Sequence, residues 1–370
     1  MRKRKLIVVS AVNLIDGGTF TILQNFLESA STFKYNRFKI IFLVNKRTLL
    51  TNNIFKSIEI PSAKKNWIFR LYWEYIGFYF ISKRIKPDIW ISLHDTSPNV
   101  IADFRYVYCH NPSIFYKNTF SSILLDPKFF IFSFFYKIIY ALNIHKNRYV
   151  IVQQEWIRNE FIRLFGLKNI LVAHPSANNL IQLTEHPSGI KRDKFVIFFP
   201  ALPRFFKNFE VLCEAVKLLP IDLQKFLEVN LTISGLENKY AKYIYKTYSD
   251  ISCINFVGLQ SHSEMIECYK QCDLVAFPSK LETWGLPISE AKIFSKSLLV
   301  ADLPYAHETV GDYDKVSFLN PDLPGDWSLA IAQLYYGKYS FDSGVMHLPS
   351  RPFAQDWNAL WTYILEDRSD

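Results

Sequence analysis

The sequence predicts an α/β protein made of two doubly wound parallel sheets, and three observations carry that reading. Short β-rich runs alternate with longer helical patterns along the whole chain. A length of 370 residues suits two domains of roughly 150–200 residues better than one core. A polar stretch containing Pro and Gly, "EHPSGIKRDK" (185–194), divides the series in two. With 49% hydrophobic and 21% charged residues the composition is that of a folded chain, not a disordered one.

In the first series "KLIVVSAV" (5–12) is a strand, because an unbroken β-branched run marks a strand buried on both faces. "TFTILQNFLESAS" (19–31) is a helix entered from the Gly17-Gly18 turn. "FKIIFLVN" (38–45), "DIWISLH" (88–94), "FRYVYCH" (104–110) and "RYVIVQQ" (148–154) are further strands, and "EWIRNEFIRLFG" is an amphipathic helix stopped by its glycine. The second series runs through strand "KFVIFFPA" (194–201), helix "FEVLCEAVKLL" (209–219), and strands "VNLTISG" (229–235) and "INFVGL" (254–259). Helix "HSEMIECYKQC" (262–272), strand "DLVAFPS" (273–279), helix "PISEAKIFSKS" (287–297) and strand "LLVAD" (298–302) follow. "FAQDWNALWTYILED" (353–367) reads as a closing helix. The expected domains are 1–185, 186–350, and a C-terminal helix within 351–370 that packs back toward the first domain. In such folds ligands bind at the carboxyl ends of the strands, and a cleft between the two domains is the expected site.

The start, "MRKRKLIVVSAVNLI", has the basic and apolar regions of a signal peptide, but no small-residue cleavage site follows and a first buried strand is expected. The longest apolar stretch, "FFIFSFFYKIIYALNI" (129–144), is interrupted by Lys137 and falls short of the roughly 18–20 residues of a membrane span. Cysteines 109, 213, 253, 268 and 272 are odd in number and scattered, which reads as reduced core thiols in a cytoplasmic protein. No zinc-type ligand pairing accompanies Cys268 and Cys272, so no metal is expected there.

The charge is unevenly divided. Residues 1–180 carry 25 Lys/Arg against 10 Asp/Glu, and residues 181–370 carry 18 against 24. A basic first half facing an acidic second half points to an anionic partner for the first, either a nucleic acid or a membrane surface. "NWIFRLYWEYIGFYFISKRIKPD" (66–88) mixes aromatic residues with Arg70, Lys83, Arg84 and Lys86, as an interfacial helix does, and favours the membrane; an ordinary packed helix with a solvated basic end is the plainer reading. No nucleic-acid-binding motif is present, and no nucleic-acid partner is expected.

The stretch "PSKLETWGLPISEA" (278–291) carries the sharpest chemistry. A strand delivers Glu282, Gly285 makes a turn, Pro287 stands where the first helical residue is expected, and Glu290 lies one turn into the helix. The amides of the helix start and its dipole form an anion site between two carboxylates. A sugar nucleotide needs those parts: amides for the diphosphate, one carboxylate for sugar hydroxyls and one for the ribose diol. An acidic first turn that merely steadies the dipole would explain Glu290 but not Glu282.

This stretch resembles the E-x7-E signature of the retaining GT-B glycosyltransferases of family 4, also called glycosyltransferases group 1. "FFPALPRFFKNFEVLCEAVKLL" (198–219) resembles the family's Arg/Lys segment, and "LTISGLEN", "INFVGLQSHSEMIECYKQCDLVAFPS" and the aromatic final helix follow in the family's order. "VNLIDGGTFTILQNFL" resembles its glycine loop and "YCHNPS" its mid-domain histidine. The likeness spans nearly the whole chain and is tightest over 194–302.

The resemblance implies a GT-B fold, an acceptor-binding first domain and a nucleotide-sugar-binding second one. It implies that Lys207 and Arg204 hold the donor diphosphate, that Glu282 accepts hydrogen bonds from the transferred sugar and Glu290 from the ribose, and that Thr283, Trp284, Gly285 and Leu286 line the donor. Gly17 and Gly18 would let the first loop approach the phosphates, and His110 would contact the donor sugar. The catalytic residues so implied are His110, Glu282 and Lys207. Arg204 departs from the pattern: it stands three residues before Lys207, whereas the family arginine stands five or six before, where this chain has Leu202 or Ala201. Either Arg204 substitutes from a reshaped loop or phosphate binding rests on Lys207. The resemblance further implies transfer with retention, no cofactor or metal, and a lipid-linked saccharide acceptor. The setting it suggests is O-antigen, lipopolysaccharide or capsule assembly, by a peripheral protein at the inner membrane. A GT-B epimerase and a non-catalytic nucleotide-sugar-binding module are the alternatives.

Overall fold

The computed structural model describes residues 4–15, 17–32, 38–50, 54–116, 123, 126–175 and 193–366. The chain divides into two compact units. Unit 1 comprises residues 1–114, 133–176 and 349–370, and unit 2 comprises 115–132 and 177–348.

Unit 1 is an eight-stranded parallel sheet in the order β14-β7-β6-β5-β4-β1-β2-β3. Its strands are β1 Lys5–Ser10, β2 Phe38–Val44, β3 Lys56–Glu59, β4 Ile89–Ser92, β5 Phe104–Cys109, β6 Tyr149–Val152, β7 Ile170–Ala173 and β14 Phe353–Ala354. The helices are α1 Gly17–Thr32, α2 Trp67–Tyr72, α3 Phe78–Ile85, α4 Pro127–Ala141, α5 Glu155–Phe165 and α13 Trp357–Glu366, with α4 beginning in unit 2. A π-helical turn, Trp73–Gly77, joins α2 to α3 into one continuous rod.

The central strands are apolar on both faces because helices cover both. On one face α1 and α13 close the larger core, where Phe26 sits between Trp357 (centroids 5.5 Å apart) and Trp361 (4.8 Å). On the other, Phe78 of α3 packs on Trp90 of β4 at 5.5 Å. Sequence periodicity takes 353–367 as one helix, whereas Phe353 and Ala354 pair with Val172 and Ala173 and the helix starts at Trp357. Arg158 explains the difference: its guanidinium donates to the carbonyls of Ser350 and Pro352, holding the incoming chain extended beside the sheet.

Unit 2 is a six-stranded parallel sheet in the order β10-β9-β8-β11-β12-β13. Its strands are β8 Phe195–Phe199, β9 Leu227–Leu231, β10 Ile254–Phe256, β11 Leu274–Phe277, β12 Ser297–Ala301 and β13 Val316–Leu319. Between them run α6 Phe209–Lys217, α7 Ile221–Gln224, α8 Lys239–Tyr248, α9 His262–Gln271, α10 Leu286–Ile293, α11 Pro304–Val310 and α12 Pro324–Tyr335. In chain order this is the 3-2-1-4-5-6 arrangement of a Rossmann sheet, and the strand order reverses between β8 and β11. Unit 1 repeats it, reversing between β1 and β4. Among the described residues no helix is long and apolar enough to cross a membrane. With 15 residues α4 spans only about 22 Å, short of a hydrocarbon core of about 30 Å.

Candidate functional site

Each unit gathers polar chemistry at its own reversal point, where the loops leaving two neighbouring strands splay apart. In unit 2 these loops follow β8 and β11. The first carries Lys207 at the end of a short 3-10 turn, Phe205–Lys207, with Arg204 extended just before it, and the second carries Glu282. The Lys207 ammonium and the Glu282 carboxylate form a direct ion pair, with the two side chains 14% and 13% exposed. Lys207 also lies 5.2 Å from the Phe277 ring centroid. Arg204 is exposed.

Asn208 locks these loops together. It is buried in the left-handed region (φ 59°), and its amide donates to Pro278 O (3.3 Å) and Pro321 O (2.7 Å). Lys280 N donates to Phe206 O (2.6 Å), and Tyr305 Oη to Ser279 O (2.7 Å). Burial pushes the Tyr305 phenol well up, and the nearby Glu282 charge adds to it.

Gly285 has φ 85°, a conformation that disfavours any Cβ, and turns the chain into α10. The helix begins at Leu286, which places Pro287 at its second position rather than its first. Pro287 has no N–H and Ile288 N donates back to Gly285 O (2.9 Å), so the helix start offers fewer amides than the sequence pattern suggests. Trp284 is buried, with its indole N–H on Ser289 Oγ (2.9 Å) and its carbonyl accepting from the Thr309 hydroxyl. Thr283 lies half-buried beside it. Glu290 accepts from the Tyr269 phenol at 2.6 Å. Burial raises the Glu290 carboxyl above its ordinary range, opposed by that hydrogen bond and by His262. Tyr269 is itself fixed by parallel stacking on Phe294 (5.6 Å, 6°).

In unit 1, Gly17 opens α1 after β1 with φ 55°, and a Cβ built there would meet no atom within 4 Å; both Gly17 and Gly18 are exposed. His94 and His110 follow β4 and β5. His94 Nε2 is 2.8 Å from Ser10 Oγ, and its Nδ1 is 3.0 Å from Glu74 Oε1 and 3.2 Å from Thr96 Oγ1, all buried.

The next residue, Asp95, is the hub of the loop cluster. It is buried with φ 67°, and its Oδ1 accepts from His110 N (2.7 Å), Asn111 N (3.1 Å) and Tyr140 Oη (2.8 Å). Its Oδ2 accepts from Tyr136 Oη (3.1 Å), and His110 Nδ1 lies 3.7 Å from Oδ1. Burial alone would raise the Asp95 carboxyl; His110, its backbone N–H, Tyr140 and Arg70 together hold it below the ordinary carboxylate value. Burial depresses the His110 imidazole, with Asp95 opposing and His94 and Arg70 adding to the shift.

His110, Lys207, Glu282 and Glu290 stand out in the sequence; Asp95 and Tyr269, which hold His110 and Glu290, and Asn208, which ties together the loops of Lys207 and Glu282, do not. An aspartate directly after a strand-end histidine, in "LHD", was the available signal. Among the described residues no group of three His, Cys, Asp or Glu side chains is placed to hold a metal ion. Asp312 and Asp314 have Asp-x-Asp spacing, but they lie between α11 and β13, at the strand's entry end.

Residues 182–338 match the family of glycosyl transferases group 1. Among solved structures the chain is similar to a glycosyltransferase from Rickettsia africae ESF-5, with 16% identity and a TM-score of 0.61 over 90% of this chain and 88% of that one. It is similar to HepE of Anabaena, solved with UDP and glucose, with 14% identity and a TM-score of 0.61 over 90% of each chain. A third is WaaG, a glycosyltransferase involved in lipopolysaccharide biosynthesis, with 13% identity and a TM-score of 0.62 over 90% of this chain and 92% of that one. No curated protein sequence matches the chain. The fold is therefore GT-B, two Rossmann-like units with parallel sheets, and the segment that matches the group 1 glycosyl transferases lies within unit 2.

Proposed function

We propose that the chain is a retaining glycosyltransferase. It would move a sugar from a nucleoside diphosphate donor to a lipid-linked saccharide of a bacterial surface polysaccharide, O-antigen, lipopolysaccharide or capsule, at the inner membrane. The observation that carries this reading is the Lys207–Glu282 pair at the reversal point of the unit 2 sheet, with Glu290 on the next helix, inside the segment that matches group 1 glycosyltransferases. The UDP and glucose bound by HepE and the lipopolysaccharide role of WaaG support the donor class and the setting.

In this reading Lys207, with Arg204 at the solvent side, neutralises the donor diphosphate, and Glu282 turns to the sugar hydroxyls. Glu290 receives the ribose diol, beside a backbone shaped by Thr283, Trp284, Gly285 and Leu286. Gly17 and Gly18 admit the phosphates, and His110, held by Asp95, hydrogen-bonds the sugar. The bond from the anomeric carbon to the phosphate oxygen breaks while the acceptor oxygen bonds to the same face. The acceptor's proton passes to the departing phosphate, and the Lys207 charge stabilises that leaving group. No metal or cofactor takes part.

Incubation with nucleotide sugar and a lipid-linked acceptor is expected to release nucleoside diphosphate only when acceptor is present, with the donor's anomeric configuration kept in the product. Interconversion of donor sugars without acceptor, or donor binding without release, would overturn the reading in favour of an epimerase or a binding module. Tyr269→Phe is expected to raise the donor KM roughly tenfold while kcat moves less, because a hydrogen bond to a charged group is worth about 1.5–3 kcal/mol. An unchanged KM would place Glu290 away from the donor.

A further inference from the structure

Two helices of unit 1 turn their apolar sides outward. On the rod from α2 to α3, Ile68, Tyr72, Ile76 and Phe80 recur every fourth residue and are all exposed, Ile68 at 78% and Phe80 at 63%. The wider π turn at Trp73–Gly77 takes back the angular drift that such spacing accumulates in an α-helix, so the stripe stays in line. On α4, Phe134, Ile138 and Leu142 continue the pattern just past the helix end, Phe134 at 64% exposure, while Ser133, Tyr136 and Tyr140 face inward. The two helices touch: the Trp67 and Tyr136 rings meet edge to face at 5.9 Å, and Arg70 Nη2 donates to Tyr136 Oη at 3.4 Å.

An amphipathic helix on a protein surface normally buries such a stripe. The charges indicate what covers it. Within 61–86 and 133–148 the one acidic residue is Glu74, which is fully buried, and the exposed charges include Lys64, Lys65, Lys83, Arg84 and Lys137. An apolar, aromatic face with cations and no exposed acid fits an anionic bilayer, whereas a second copy would set like charges against each other.

We propose that the outward stripes of the α2–α3 rod and of α4 form one lipid-docking face, so that α4 inserts alongside the rod. This rests on the proposed function at the inner membrane, and it names the face that docks. The inner side of α4 supplies Tyr136 and Tyr140 to Asp95, so the helix that meets lipid also holds the His110 loop.

Flotation of the full chain with phosphatidylcholine vesicles, with and without phosphatidylglycerol, tests the proposal. Wild type is expected to float with the anionic vesicles and to be released by salt. Phe134→Gln with Ile138→Gln, and separately Ile68→Gln with Phe80→Gln, are each expected to weaken partitioning roughly tenfold or more, since each pair removes two large apolar side chains from the lipid contact. Ile221→Gln, an exposed apolar position of unit 2, is expected to leave flotation unchanged. All four positions are solvent-facing, so thermal unfolding of the variants is expected to match wild type. If wild type floats and the α4 pair floats equally well, the α4 assignment is wrong although membrane docking stands. If wild type does not float, the docking reading itself fails. If sedimentation velocity shows a dimer that either pair abolishes, the face binds a second copy and the proposal is overturned.

Discussion

Lys207→Ala is expected to lower glycosyl transfer roughly 10²–10³-fold, the scale on which an enzyme loses rate when one donor to a developing negative charge is removed. The variant loses more than a cation. In the free protein Lys207 neutralises Glu282, and with both side chains largely buried, removing the ammonium leaves a carboxylate without its counter-charge beside the proposed diphosphate. Glu282→Gln alone is expected to be costly too, because the sugar hydroxyls lose a charged acceptor. The two residues act as a unit, so the double variant should lose much less than the product of the two single losses. Single-turnover rates for the four proteins measure this coupling. Effects that simply multiply would mean that the ion pair has no part in the reaction.

Asp95→Ala is expected to destabilise unit 1 by about 3–5 kcal/mol, read as a shift in the urea midpoint, because it strands a group of buried donors at once. The backbone N–H groups of His110 and Asn111 and the hydroxyls of Tyr136 and Tyr140 all end on this carboxylate. The pH dependence has a definite sign. The Asp95 pKa is held below its unfolded value, so its stabilisation is complete above about pH 3.9 and is lost as the pH falls through the folded value. The His110 pKa is also depressed, so folding favours the neutral ring. That contribution is complete above about pH 6.5 and declines as the pH falls toward the folded value. Wild type should therefore weaken in two stages on acidification, and Asp95→Ala should lack the lower one. An unchanged acid limb in the variant would remove Asp95 from the account.

The sheets were legible in the sequence wherever a strand is buried on both faces and reads as a continuous apolar run, as β1, β2, β8 and β11 do. The two-residue β14 has no such run; it is specified by Arg158, nearly two hundred residues upstream. Lys207, Glu282 and Glu290 were legible because each stands in a local motif. Asp95 and Tyr269 were not, because their meaning lies in partners distant in the chain: Tyr136 and Tyr140 for one, Glu290 for the other. The α2–α3 segment was visible as aromatic and basic, but a helical period fixes only that the apolar residues share a face. Burial shows that the face points outward.

The central claim is that unit 2 holds a nucleotide sugar through Lys207. Thermal unfolding of wild type and Lys207→Ala with UDP-, GDP- and ADP-sugars tests it most directly. At a ligand concentration of roughly 100 times Kd, wild type should gain about 2.7 kcal/mol with one nucleotide class, and the variant should lose most of that gain. A stabilisation that survives in Lys207→Ala, or none with any of the three classes, would contradict it.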